Sequence, residues 1–481
     1  MHHDLDHDDG NMAAHFRVLH ETAVLGARRG TLSLAGRSIS TPHYLALTSR
    51  GAVPHISHDN LREHCAVRGV YLGLEDFLDR PRNQPPALYQ VPRQPGESGL
   101  RRFTSLHDDT LLVLGPRRVP PVPDPPANTD NAISILTSAG YARLEAREYL
   151  DAVLGTLRPD IVVGMADLMP SSSKPGVKRR EKMVDRTHAF TRDATRRIAE
   201  QEADVRAQTS FFAPVLPFDN TQQRLYLDDL ADELREGIAG LAFYDYATTV
   251  AAVESPAMPD ALRDLPRLSL GEPRSPHDVL RDVRLGVDIL TIPFIGAMTD
   301  GGIALTFTFP DASPELEKEQ KKQPLGIDLW SKDYETDTEP LMPACTCYAC
   351  RMHHRAYIHH LLSAKEMLAW TLLQIHNLHV VDRFFERIRA AIDKGELEAG
   401  VERFAEWYEE GLPIPTGKGP RLRGYQHHTS GPGEPRQNPR AFGKLDDAAQ
   451  KFAEAQSSVA TPDTSAEGLE QHGFAERQGS P

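Results

Sequence analysis

From Phe16 onward, short apolar runs alternate with turn residues. The stretch GARRGTLSLAGRSISTPHYLAL (26–47) is bounded by glycine and apolar at every second position, the pattern of a β-hairpin. Prolines then break the text at Pro81, Pro85, Pro86, Pro92 and Pro95, and six more fall between 116 and 126. Each removes a backbone donor and fixes φ, which predicts loops around one short strand, TLLVLG (110–115). From about 130 to 300 the apolar period switches repeatedly between helix and strand. AREYLDAVLGTL predicts a helix, DIVVGMAD a strand, VDRTHAFTRDATRRIAEQEA a long amphipathic helix, SFFAPVL a strand and QQRLYLDDLADELREG a helix. GLAFYDYA and PRLSLG follow as strands, SPHDVLRDVRLG as a helix and VDILTIPF as a strand. Strand–helix units at this spacing imply a parallel sheet with helical crossovers. Their number favours closure into a (β/α)8 barrel over an open doubly wound sheet.

Residues 351–395 read as strongly helical, and 311–340 as a long acidic connection into them. After Gly411 the pattern fails: twelve of the thirty residues 411–440 are Gly or Pro, and the polar remainder to Pro481 predicts disorder. No apolar run reaches the ~18 residues of a membrane helix. The opening MHHDLDHDDG matches neither a secretory signal nor an Arg-rich transit peptide, so a cytoplasmic chain is expected.

The 481 residues carry a net charge of −14, with a composition ordinary for a soluble globular protein. An acidic chain lacks the global field that drives phosphate-backbone binding. Two local basic stretches remain, Lys174, Lys178, Arg179, Arg180, Lys182 and Arg186, and a looser one over 418–444. A solvated charged face accounts for either equally well. No Gly-rich phosphate loop follows any predicted strand, which weakens a nucleotide-cofactor reading.

Four cysteines exclude a disulfide scaffold. Cys65 stands alone, whereas Cys345, Cys347 and Cys350 crowd into six positions, the pattern of thiolates kept for a metal. Zinc takes four ligands in a tetrahedron. His353, His354, His359, His360, His376 and His379 all follow the cysteines. In one straight helix His376 would lie roughly 39 Å away. Ser363-Ala364-Lys365-Glu366 has capping-box form, with Ser363 as N-cap, and predicts a break there. Two antiparallel helices of roughly 18 and 19 Å would then return His376 to the thiolates, with His379 as the fallback. Four protein ligands leave no open position, so one zinc ion per chain would be structural.

CTCYACRMHHRAYIHHLL followed by HNLH resembles the zinc segment of the queuine/archaeosine tRNA-ribosyltransferase family, the tRNA-guanine transglycosylases. The family signature is C-x-C-x-x-C with a histidine 26 residues after the last cysteine, the spacing of Cys350 to His376. RRGTLSL, TSRGAVPHISHDNL, PRLSLG and RLGVDILTIPF are further family-like passages, in family order. The resemblance spans roughly 16–395 and implies a (β/α)8 TIM barrel with an N-terminal β-hairpin region and an inserted zinc-binding helical subdomain. It divides the chain into a disordered N-terminus (1–15), a barrel (16–310), a zinc subdomain with closing helices (311–410) and a disordered tail (411–481).

Family enzymes exchange guanine at the tRNA anticodon wobble position for a modified base. One aspartate attacks the ribose and a second acts as general acid/base. The nucleophile normally stands three residues after G-V-D; here Gly286-Val287-Asp288 leads to Thr291, and Asp288 matches the family's structural aspartate. The nearest echo of the D-S-G-G-F-Q loop is Gly96-Glu97-Ser98-Gly99-Leu100. G-I-V-Q-G-G would fall at Ala213-Pro214-Val215-Leu216-Pro217 and G-G-L-A-V-G-E at Gly240-Leu241-Ala242-Phe243-Tyr244. An altered site beside a complete zinc motif, with SLHD (105–108), VKRREKMVDR (177–186) and ALTFTF (304–309), resembles the family's non-catalytic accessory branch. The resemblance implies a heterodimer with a catalytic queuine tRNA-ribosyltransferase subunit, tRNA held through the complex, no catalytic residue in this chain, and a cytoplasmic protein peripheral at the mitochondrial outer membrane. The Lys174–Arg186 stretch is the candidate for direct tRNA contact, and the zinc subdomain with 351–395 for the interface. The rival readings are a competent transglycosylase with Glu97 as base and a zinc-dependent nucleic-acid-binding module.

Overall fold

The computed structural model describes residues 15–21, 26–78, 84–122, 125–137, 140–169, 175–245, 258–310, 322–417 and 419–420. The alternating N-terminal run forms a three-stranded antiparallel sheet of β1 (His15–Glu21), β2 (Arg28–Leu34) and β3 (Arg37–Thr41). Ala35 and Gly36, both at positive φ, make the tight turn of its second hairpin. Eight parallel strands follow and close into a barrel, which excludes the open sheet. They are β4 (His43–Leu47), β5 (Gly69–Gly73), β6 (Leu111–Gly115) and, after an excursion, β9 (Ile161–Val163) through β13. The excursion is an antiparallel hairpin, β7 (Ala132–Thr137) and β8 (Gly140–Glu145), which the alternating-unit pattern did not foresee. The later barrel strands are β10 (Ser210–Val215), β11 (Gly240–Phe243), β12 (Arg267–Ser269) and β13 (Ile289–Thr291). Closure comes where β13 pairs with β4, Ile289 against His43 and Thr291 against Leu45.

Alternation along the strands sorts the side chains. Leu45, Tyr71, Val113, Val163, Phe212, Leu268 and Ile289 pack inside the barrel, and Leu32, Leu34 and Ile39 of the N-terminal hairpin join them. Intervening residues such as Tyr44, Leu72, Leu112, Phe211 and Leu290 pack in a separate outer layer with the helices. A Cβ at Gly240 would meet the Phe212 ring at 2.5 Å, so the glycine makes room for that ring.

Three helices follow as the apolar pattern predicted: Val177–Ala199, Arg224–Ala231 and Pro276–Arg284. The proline-punctuated stretch contains more than loop, since Gly99–Thr104 is helical with Ser98 as its N-cap. Beyond the barrel, β14 (Ile303–Leu305) and β15 (Gly326–Asp328) pair antiparallel, and the helices Tyr348–Met352, Arg355–Ser363 and Met367–Lys394 follow.

The break between the last two of these helices falls where expected but is built differently. Ser363 ends the first helix and caps nothing. Lys365, at φ +58, terminates it as its amide bonds Leu362 O at 2.9 Å and the Glu366 amide bonds Leu361 O at 2.9 Å, a Schellman pairing. Glu366 is the N-cap of the next helix, without a side-chain cap bond. His15 already lies in β1, and Thr416, assigned to the disordered tail, bonds Asp328 Oδ2 through its amide (3.0 Å) and hydroxyl (2.6 Å). The expectations for 1–14, for 311–321 and for the tail beyond 420, including most of the basic stretch 418–444, lie outside the described residues. Among the described residues no helix is long and apolar enough to cross a membrane.

Candidate functional site: the metal cluster and the barrel mouth

The helical hairpin brings Cys345, Cys347, Cys350 and His376 together, their ligand atoms all within 4.8 Å of one another. Cys347 precedes the helix Tyr348–Met352, and its Sγ accepts the Cys350 amide at 3.3 Å. His376 is fully buried. Its Nδ1 stands 3.7, 3.5 and 3.3 Å from Sγ of Cys345, Cys347 and Cys350. A tetrahedral zinc with ordinary Zn–S and Zn–N bonds has N···S edges of roughly 3.5 Å, so the donor set fits that ion. Nε2 donates to Leu305 O at 2.8 Å, which turns Nδ1 toward the thiols. The next residue, Asn377, accepts from Leu305 N at 2.9 Å and donates to Ile303 O at 3.0 Å. The His-Asn pair thus ties the long helix to β14, an anchoring role for Asn377 that motif spacing alone did not suggest.

The electrostatics suit a metal. Hydrogen bonds with Cys347 and Cys350 pull the Cys345 thiol well below its ordinary range, while the same pairing pushes Cys347 up. Burial draws the His376 pKa down, but its bonds to Cys345 and Cys350 outweigh that and hold it at about 9. Metal uptake must therefore displace protons. The fallback, His379, instead reaches Thr346 Oγ1 at 3.5 Å, and His359 bonds Leu329 O at 2.7 Å.

At the barrel mouth, the C-terminal ends of the strands, Thr291 ends β13 and is buried. Its Oγ1 lies 3.3 Å from Ser269 O and 3.2 Å from Gly271 O, so the hydroxyl proton is taken up by backbone carbonyls. At the other end of the same strand, fully buried Asp288 takes Arg28 bidentately, Nε at 2.9 Å and Nη2 at 2.5 Å. It also accepts the Arg267 amide at 2.7 Å. One ion pair thereby joins the passages RRGTLSL, PRLSLG and RLGVDIL.

The sequence profile of the Queuine tRNA-ribosyltransferase family matches residues 23–410. The chain belongs to this family. The Schizosaccharomyces pombe protein named queuine tRNA-ribosyltransferase accessory subunit 2 is 36% identical over 406 residues, covering 83% of this chain and 86% of the relative. The Xenopus tropicalis and human proteins of the same name are 30% and 27% identical, each covering 78% of this chain and, respectively, 96% and 95% of the relative.

Membership in the queuine tRNA-ribosyltransferase family directs attention to the mouth, because (β/α)8 enzymes work at the C-terminal ends of their strands. Gly96–Leu100 is not there. It abuts Thr156, Leu157 and the loop before β9, at the N-terminal ends, so it is no remnant of the acid/base loop. Glu97 is moreover held low by the Gln94 amide and Arg102, the wrong direction for a base at neutral pH. The residues that do follow β6 at the mouth are Pro116-Arg117-Arg118. Arg118 Nε bonds Glu75 at 3.0 Å and Nη2 bonds Asp76 at 3.0 Å. Buried Arg117 donates to Asn128, Ser134 O and Leu168 O. Burial raises Asp76 to about 6 against the pull of Arg118.

The basic stretch is committed internally in part. Arg186, buried, pairs with Asp167 at 2.9 Å and Asp130 at 2.7 Å; Arg179 pairs with Asp167 and Lys182 with Asp130. Lys178 is exposed, and Lys174 lies outside the described residues. Among the described residues the Arg180 side chain bonds only Gln222 Oε1, at 3.1 Å, and Lys182 stays half exposed, so part of the stretch is engaged by carboxylates and part faces outward.

Proposed function

We propose that this chain is the non-catalytic accessory subunit of a heterodimeric queuine tRNA-ribosyltransferase, which exchanges guanine for queuine at the anticodon wobble position. It would assemble with the catalytic subunit and help position the tRNA. The observation that carries the reading is Thr291: where the family's enzymes place an attacking carboxylate, this chain has a hydroxyl engaged by Ser269 O and Gly271 O, with no general base bonded to it among the described residues. The accessory-subunit names of the relatives support the same role.

Cys345, Cys347, Cys350 and His376 would hold one structural zinc. When bound, it cross-links the thiolate turn to the long helix and offers no open coordination position. The cysteines and the imidazole then fix the subdomain, and Leu305 O fixes the tautomer of the imidazole. Four of the nine large apolar side chains exposed among the described residues, Tyr348, Met352, Met367 and Leu368, fall within this subdomain, which favours it as the face toward the catalytic subunit.

The test is exchange of labelled guanine or queuine into tRNA by this chain alone, by its catalytic partner alone, and by both. The expected outcome is activity in the mixture that this chain alone lacks and that survives Thr291→Ala here. Exchange by this chain alone would overturn the reading.

A further inference from the structure

A cavity of about 310 Å³ opens at the N-terminal ends of the barrel strands, the end away from Thr291. Three guanidiniums line it: Arg37, Arg101 and Arg158. Two of them share one counter-ion, since Asp160 accepts Arg37 Nη1 at 3.0 Å and Arg101 Nη2 at 2.8 Å. The same carboxylate also accepts the Leu112 amide at 2.7 Å. Glu97, on the cavity wall, is engaged by the Gln94 amide at 2.9 Å and Arg102 at 3.0 Å. Arg158 differs. Its Nε and Nη1 are buried with no hydrogen-bond partner, and it makes no ion pair among the described residues. Burying charged donors without a partner is unfavourable, and folds normally avoid it.

The backbone supplies a second, independent observation. Arg158 sits at φ +43, closing a helical turn as its amide bonds Val153 O at 3.0 Å. That conformation suits Gly or Asn. A long cationic side chain in a left-handed position, unpaired among the described residues, breaks two local rules together, and such positions concentrate at binding sites.

We propose that this cavity binds a small phosphate monoester bearing hydroxyl groups, of the size of a pentose phosphate, with Arg158 holding the phosphoryl oxygens. Of its three guanidinium nitrogens Nη2 is not among the buried, unpartnered ones, and a guanidinium N–H to a phosphate oxygen is a charge-assisted bond. With the Glu97–Arg102 pair included, four guanidiniums (Arg37, Arg101, Arg102 and Arg158) stand against Glu97, Asp108 and Asp160, one positive charge in excess. The volume sits at the lower edge of small-ligand pockets, about 300–1,000 Å³, and exceeds what inorganic phosphate alone would fill. Asp108 and Gln208 line the cavity and supply partners for hydroxyls.

The test is isothermal titration of the full chain with ribose 5-phosphate, alongside inorganic phosphate and ribose. Saturable one-site binding of ribose 5-phosphate is expected, with inorganic phosphate weaker and ribose silent. Arg158→Asn should weaken binding roughly tenfold or more, and Arg158→Lys should retain part of it. Because Asn suits the left-handed backbone, the Asn variant should melt no lower than the parent, which separates lost binding from lost folding. Absence of binding at millimolar ribose 5-phosphate, or equal affinity in Arg158→Asn, would overturn the proposal. Inorganic phosphate binding as tightly as the sugar phosphate would overturn the assigned ligand class.

Discussion

At the cluster, donors from two separate segments arrive with N···S separations of 3.3 to 3.7 Å, and the one histidine among them has its tautomer set by Leu305 O. At the barrel mouth, the position that family resemblance gives to an attacking carboxylate holds Thr291, and the carboxylates Glu75 and Asp76 that follow β5 are paired to Arg118. The two regions share one scaffold but face different demands. A metal cluster that cross-links the fold loses its function if any ligand goes, because the folding energy depends on the complete set. A catalytic carboxylate can be replaced by threonine without loss of the barrel, provided the hydroxyl finds a partner, as it does here.

That contrast can be broken at several points. The largest effect belongs to the cluster: Cys347→Ser or His376→Ala should cut bound metal, measured by elemental mass spectrometry, by roughly tenfold or more. Structural zinc is worth on the order of 10 kcal/mol in small peptides, so the same variants should lose protection from proteolysis across 345–394. Full metal occupancy in both would remove the cluster from the account. Next comes the buried pair beneath the barrel. Asp288→Asn removes the carboxylate that Arg28 meets at 2.5 Å, and breaking a buried pair costs about 3–5 kcal/mol; urea unfolding at neutral pH reads this directly.

A smaller effect depends on pH. Folding raises the Asp76 carboxyl from 3.8 to about 6, chiefly by burial. The folded chain therefore holds a proton there that the unfolded chain has released. This contribution to stability is present below about pH 4 and is lost as pH rises to about 6. Asp76→Asn should gain on the parent across that window, by at most about 3 kcal/mol, whatever the constant offset from the lost Arg118 pair. A pH-independent difference would count against the raised carboxyl. The smallest effect is at Thr291→Ala, which should cost about 1 kcal/mol of stability and leave exchange by the mixed subunits within about twofold.

Legibility followed distance along the chain. Strand–helix alternation over 130–300 announced the barrel because each element's period is written in its own residues. The thiolate turn was legible for the same reason, and the expected helical return favoured His376, with His379 as the fallback; in the fold His376 lies with the three cysteines. The break at 363–366 was placed correctly but misassigned, since a left-handed Lys365 carries no glycine signal. Gly96–Leu100 resembled an active-site loop as text, and only the strand order puts it at the wrong end of the barrel. The basic stretch reads as uniform in sequence, whereas in the fold Asp130 and Asp167 take up Arg186 and Arg179 but not Lys178.

By itself, then, the sequence determined the element types, the barrel's repeating unit and the four donors that cluster, all governed by interactions within a few turns of chain. Only the tertiary structure decided which charges are free. Arg28 meets Asp288 across 260 residues, and Tyr44 meets Asp382 across 338. Such pairings exist only once the barrel has closed, because the packing that brings their backbones together is set by the whole apolar core and by no local pattern.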